Sequence, residues 1–157
     1  MPAAHAKTPQ KPAFAPPLLY LAFIAVAIAL SYALPIPLPA NSWTGALAVA
    51  LIILGQSLSF WAILLFKRQH TATSNFDAPS ELLCQGPFAI SRNPINLGDT
   101  LAYAGLALLM GSLWPWLMLP VLLYLMNRLV IRPDEVQLEQ LFGESYRQYC
   151  RRVRRWL

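Results

Sequence analysis

A chain of 157 residues has room for one domain. Hydrophobic residues make up 57% of it and charged residues 12%, about half the charged share of an ordinary soluble domain. A core of this size cannot hide so much apolar surface, which excludes a soluble globular protein and makes a lipid bilayer the expected partner. The net charge of +5 would by itself allow a nucleic-acid partner. In so apolar a chain, however, Lys and Arg are better explained as holding loops on the cytosolic side of a membrane, and no nucleic-acid partner is expected.

Residues 1–17 hold Pro2, Pro9, Pro12, Pro16 and Pro17 together with Lys7 and Lys11. They read as a disordered cytosolic N-terminus. A cleaved signal peptide is not expected, because the apolar run that follows is too long and no small-residue cleavage site stands out. Four apolar stretches come next: Leu18 to Leu34, Trp43 to Phe66, Ile95 to Met110 and Leu113 to Ile131. A helix needs about 20 residues to cross the hydrocarbon core; the second and fourth qualify easily, the first is adequate and the third is short. The expected fold is all-α, a polytopic membrane helical bundle of four transmembrane helices with a C-terminal amphipathic cytosolic helix. Its parts are the N-terminus (1–17), the first two spans (18–66) and a region carrying the chemistry (67–157).

Charge sorts the connections. Leu34 to Ser42 and the turn at Gly111 and Ser112 carry none, and all 12 Lys and Arg fall before the first span, between the second and third, or at and after the end of the fourth. This positive-inside pattern predicts both termini and the Lys67 to Asn93 segment in the cytosol, as in a bacterial inner membrane or its equivalent. Within the third stretch, Gly98, Gly105 and Gly111 would let another helix approach closely. Pro115 and Pro120 in the fourth are tolerable where neighbouring helices satisfy the freed carbonyls.

After Pro133 the spacing predicts a charged amphipathic helix over about Asp134 to Tyr149, with Gly143 as a potential break. Asp134, Leu138, Leu141, Phe142, Ser145 and Tyr149 share one face of its wheel. The tail, with Arg147, Arg151, Arg152, Arg154, Arg155 and Trp156, reads as an electrostatic anchor on anionic lipid. Cys84 and Cys150 form no CxxC pair and no Cys/His cluster, and read as free thiols.

Motifs for phosphate binding, dinucleotide binding, zinc proteolysis and serine hydrolysis are absent, and the two histidines, His5 and His70, lie in polar segments; neither a metal site nor a catalytic triad is expected. Two polar constellations remain, both on the cytosolic side by topology. The first runs from Gly86 to Gly98. Asn93 is a good N-cap and Pro94 a good first helical residue, so a helix start faces the cytosol and attracts an anionic group such as a carboxylate. The second is Arg132-Pro133-Asp134-Glu135. Acids in a first turn complement the helix dipole, which accounts for Glu135. Asp134 lies on the face that must be buried, and a carboxylate pointing into a membrane bundle is a functional candidate.

The run GPFAISRNPINLG, an apolar hairpin and then RPDEVQLEQLFGESYRQYCRRVRRW resembles the isoprenylcysteine carboxyl methyltransferase family and its phospholipid-methyltransferase relatives, over about Thr73 to Trp156. The resemblance implies S-adenosylmethionine as methyl donor, held by the last two spans and the loops around them. It places cofactor contacts on Ser80, Glu81, Leu82 and Leu83. It places an adenine-stacking surface on Phe88, where Tyr is usual, and further contacts on Asn93, Pro94, Ile95 and Asn96, the last replacing a Tyr. The usual Glu pair becomes Asp134 and Glu135, with Asp134 on the cofactor. Arg132, with Arg128 in reserve, is implied as the substrate-engaging catalytic arginine.

The residues fit that donor on physical grounds as well. A sulfonium with a zwitterionic tail needs an anion, donors for its carboxylate and an apolar slot for adenine. Asp134 with Glu135, the helix start at Asn93, and Phe88 with Leu82 and Leu83 would supply these. The acceptor class left open is an amphiphilic or small-molecule carboxylate, thiol or amine. Two alternatives are a membrane reductase using NADPH, since sterol reductases share a related C-terminal hairpin, and a non-catalytic membrane scaffold.

Overall fold

The computed structural model describes residues 16–39, 41–72 and 82–157. The expected N-terminal lead-in lies almost wholly outside them. Helix α1 (Pro16–Ala33) opens on two prolines, whose fixed φ suits a first turn. Helix α2 (Ser42–Ala72) is capped by Asn41: its Oδ1 accepts from the Thr44 backbone N at 2.9 Å, and Thr44 Oγ1 accepts from Asn41 N at 3.0 Å. It runs on past Phe66, the end of the apolar stretch, because Lys67 and Arg68 sustain a helix after the apolar residues run out. A 3₁₀ turn at Gly86–Ala89 leads into α3 (Pro94–Met110), which ends on Gly111 in the left-handed region at φ 56°. Helix α4 (Trp114–Met126) then passes through a π-helical turn at Asn127–Ile131 into α5 (Arg132–Phe142), and α6 (Glu144–Arg152) follows.

Among the described residues, three helices are long and apolar enough to cross a membrane: Pro16–Ala33, Ser42–Arg68 and Trp114–Phe142. In the last of these Arg128 is the first charged residue; the apolar stretch ends at Ile131, and α5, which carries Arg132, Asp134, Glu135 and Glu139, extends beyond it. The fourth expected crossing, α3, has 17 residues, roughly 26 Å of helix at 1.5 Å per residue. It lacks the length of the other three.

Helix α3 lies flat against α2 because small residues meet at the contact. A Cβ on Gly55 would run into the Gly98 carbonyl, and one on Gly98 would hit Ser59 Oγ and the Gly55 carbonyl. At Gly105 it would meet the Ala48 carbonyl at 2.6 Å and Ile52 Cγ1 at 2.7 Å. Gly98 and Gly105 thus act as close-approach residues. Gly111 does not: it supplies the positive φ of the helix end. Against the other side of α3, Tyr20, Tyr103, Leu122, Met126 and Val130 form the buried core. The Tyr20 and Tyr103 rings meet at a tilt of 55° with 6.4 Å between centroids, and Tyr20 Oη donates to the Asn96 carbonyl at 3.1 Å. Large side chains such as Leu54, Phe60 and Leu117 project outward, as lipid-facing residues do.

The bundle has two chemically different ends. At one, the uncharged connections pair with each other: Leu38 N donates to Gly111 O at 2.7 Å, Leu113 N to Ile36 O at 3.0 Å, and Trp114 Nε1 to Leu34 O at 2.7 Å. At the other end sit the uncharged start of α1 and, with charged groups, the 82–93 segment, α5 and the tail.

The amphipathic helix departs from its predicted wheel. Gly143, at φ 52°, ends α5 and restarts the helix as α6. Tyr149 is buried, as its place on the predicted face requires, and so is Tyr146, which lies off that face; Leu141 and Ser145 of that face are exposed. Across the bend, Arg147 Nε lies 2.9 Å from Glu139 Oε1 on the surface.

Candidate functional site

The two polar constellations meet at the charged end. Arg92, two residues before α3, places Nη1 at 3.1 Å from Glu135 Oε1 in the first turn of α5. Glu135 also takes Arg155: Nη2 lies 2.6 Å from Oε2 and Nε 2.9 Å from Oε1. Both the Arg92 and Glu135 side chains are only 15% exposed. Arg155 Nη1 reaches Asn127 Oδ1 at 3.2 Å, inside the π-helical turn. Such turns recur at functional sites because they rotate the following helix out of phase.

The tail closes over the start of α3. Arg92 N donates to Arg154 O at 3.0 Å. Ser91 Oγ and Asn93 Nδ2 donate to Arg155 O at 3.2 and 3.3 Å, and Tyr149 Oη donates to Phe88 O at 2.6 Å. Asn93 is therefore the N-cap by position, but its side chain makes no capping bond; the tail carbonyl takes it instead. The composition of the tail points to a place on lipid, and the structure corrects this in part. The Arg155 side chain is drawn inward by the Glu135 carboxylate, and the Arg147, Arg151, Arg152 and Arg154 side chains stay on the surface.

Of the other expected residues, Phe88, Leu82 and Leu83 are half-buried beside this junction's loop, and Pro94 is buried at the helix start. Ser80 and Glu81 lie outside the described residues. Ile95 is not part of the junction; it lines a separate cleft shared with α1 and α2. Arg132 is exposed at the start of α5, and Arg128 is exposed with Nη1 3.4 Å from Tyr124 Oη.

Three polar groups at this end have no protein partner among the described residues. Asp134 is half-buried and forms no hydrogen bond or ion pair, and burial holds its carboxyl above its ordinary range. Arg92 Nε is buried with no acceptor. One turn along α3, Asn96 is 6% exposed and its Oδ1 is buried with no donor. Buried polar groups are nearly always paired. Asp134 thus offers an anion, Arg92 a donor and Asn96 an acceptor that no described protein group satisfies.

Sequence reasoning misses Arg155, Asn127, Cys150 and Tyr149. Cys150 Sγ accepts from Arg92 Nη1 at 2.8 Å. Nothing in the spacing separates Arg155 from its four neighbouring tail arginines. The sequence also presents Glu135 as a dipole partner, whereas in the fold Glu135 holds three segments together.

An uncharacterized protein of Haemophilus influenzae is 39% identical over 57 residues, covering 33% of this chain and 90% of the relative. No solved structure matches. The family model described as phospholipid methyltransferase matches residues 43–145, from the start of α2 through the junction of Arg92 with Glu135. The chain therefore belongs to the phospholipid methyltransferase family.

Proposed function

We propose that this protein transfers a methyl group from S-adenosylmethionine to an amphiphilic acceptor at the charged end of its bundle. On this reading that end faces the cytosol with both termini, α3 completes the fourth crossing, and the bundle sits in a bacterial inner membrane or its equivalent. The observation that carries the reading is the Arg92–Glu135 contact at 3.1 Å. It brings together the two polar stretches that flank the final hairpin, with the half-buried carboxylate of Asp134 left uncompensated beside them.

When bound, the donor would supply an electrophilic methyl on a sulfonium, its carbon–sulfur bond breaking with the electron pair kept by sulfur as the acceptor heteroatom bonds the methyl; a thiol or amine acceptor would also give up a proton to water, and a carboxylate would not. The chain's part is to bind, align and exclude water. Asp134 offers negative charge to the donor's cationic groups. The Arg92 guanidinium, already held by Glu135, offers its open Nε to a carboxylate. Asn96 Oδ1 offers an acceptor to an N–H. Phe88, Leu82 and Leu83 give an apolar wall for adenine. Arg132 and Arg128, exposed where the lipid-crossing part of α4 gives way to α5, engage the acceptor. No covalent enzyme intermediate is required.

The test is equilibrium binding of labelled S-adenosylmethionine to the purified full chain in detergent, with NADPH as the contrasting ligand. Saturable donor binding that is lost in Asp134→Ala supports the reading. NADPH binding without donor binding overturns it in favour of a reductase.

A further inference from the structure

A second polar feature lies apart from the junction of Arg92 with Glu135. Between α1, α2 and α3 runs a cleft of about 420 Å³, within the range of small-ligand sites. Its walls are apolar, with Leu21 and Ile24 from α1, Phe60 from α2 and Leu106 from α3. Leu21 is 60% exposed and Phe60 63%, so the cleft opens sideways, where the bilayer lies.

One carboxylate faces this cleft. Asp99 lies in the second turn of α3, and its Oδ1 accepts from Ser59 Oγ at 2.9 Å. That is its one hydrogen bond among the described residues, and it forms no ion pair with any of them. The cleft is thus polarised along its length. Asp99 lies toward the charged end, and Leu106 roughly 10 Å further along the helix axis. An amphiphile entering from the membrane would keep this orientation, head toward the charged surface and chain toward the middle of the bundle. A carboxylate without a counter-ion in a membrane helix is costly and marks function. Its negative charge favours a cationic head and repels an anionic one.

We propose that this cleft binds a single-chain amphiphile with a protonated amine head, and that Asp99 selects that head over a carboxylate. The cleft is separate from the junction where methyl transfer is proposed, and the charge selection rests on Asp99 and the cleft alone.

The experiment uses the full chain in phosphatidylcholine nanodiscs with two photoreactive probes of equal length, a diazirine-bearing dodecylamine and a diazirine-bearing dodecanoate. Labelled peptides are mapped by mass spectrometry. The amine probe is expected to label the facing walls of α1, α2 and α3 at least several-fold more than the carboxylate. Asp99→Asn is expected to lower amine labelling roughly tenfold, as loss of one charge-assisted hydrogen bond would, with Asp99→Glu restoring it. Leu106→Trp, which fills the cleft and keeps the charge, is expected to block the amine as well.

Equal labelling by both probes, or amine labelling indifferent to Asp99→Asn and Leu106→Trp, overturns the proposal. If Asp99→Asn does not fold, the two-probe comparison on the natural sequence and the Leu106→Trp variant still decide. Binding of labelled S-adenosylmethionine to the natural chain is measured in parallel. Its failure counts against methyl transfer and leaves the photolabelling outcome for the cleft intact.

Discussion

Arg92 Nη1 stands 3.1 Å from Glu135 Oε1, joining the entry of α3 to the first turn of α5. The whole α3–α4 hairpin separates these residues in sequence, and the contact forms because both ends of that hairpin emerge at the same face of the bundle. Arg155 completes the arrangement from the tail, with Nη2 2.6 Å from Glu135 Oε2. One carboxylate therefore fixes the relative positions of loop, helix and C-terminus.

Removing that charge should release the tail. In Glu135→Gln, Arg92 and Arg155 lose their shared counter-ion and repel each other. Disrupting a fully buried pair costs about 3–5 kcal/mol, and these side chains retain some exposure, so a cost nearer 2 kcal/mol is expected. Trypsin should cut after Arg154 and Arg155 several-fold faster than in the natural protein. An unchanged digestion pattern would show that the clamp does not hold the tail.

Asp134 should trade stability for binding. Its carboxyl is raised by burial from an ordinary 3.8, so the folded state holds the proton more tightly than the unfolded chain. Its contribution is then most favourable at the acid end. It declines as pH rises from about 3.8 through the raised folded value, and stays unfavourable above that. Asp134→Asn should remove this decline. The ligand-free variant should melt higher than the natural protein at neutral pH and yet fail to bind S-adenosylmethionine. Thermal melts of both proteins across the acid range measure the difference; a variant that melts lower at neutral pH contradicts the account.

Glycine substitutions should divide by contact. Gly98→Ala drives a methyl into Ser59 Oγ and the Gly55 carbonyl, and overpacking of this kind typically costs about 1–3 kcal/mol. Gly45 in the same α2 has nothing within 4 Å of an added Cβ, so Gly45→Ala should be neutral or gain up to about 1 kcal/mol through helix propensity. Thermal stability in detergent separates them, and equal behaviour of the two would remove the close α2–α3 approach as a determinant of the fold.

Much of the architecture is legible in the residue order. The apolar runs mark α1, α2 and α4, Pro94 marks the start of α3, and Gly143 marks the break between α5 and α6. The charge-free connections sit together at one end, as their composition implies. The length of α2 past Phe66 and the different roles of Gly98 and Gly111 are less legible, because a glycine's use depends on what lies opposite it. Of the candidate site, the pairing of the two polar stretches is readable from topology. The placement of Ile95 in a cleft away from Arg92 is not, since neighbouring positions on a helix face different directions.

Composition and periodicity by themselves determined that the chain is helical, suited to lipid, and polar at one end, because those properties follow from local patterns that each segment carries alone. Only the tertiary structure decided which charges satisfy one another. Glu135 is legible as a helix-start acid and Arg155 as one more basic tail residue. Their meeting, and the solitude of Asp134 beside them, depend on the three-dimensional convergence of segments far apart in sequence. A short-range electrostatic contact is set by distance in space, and residue order does not encode that distance locally.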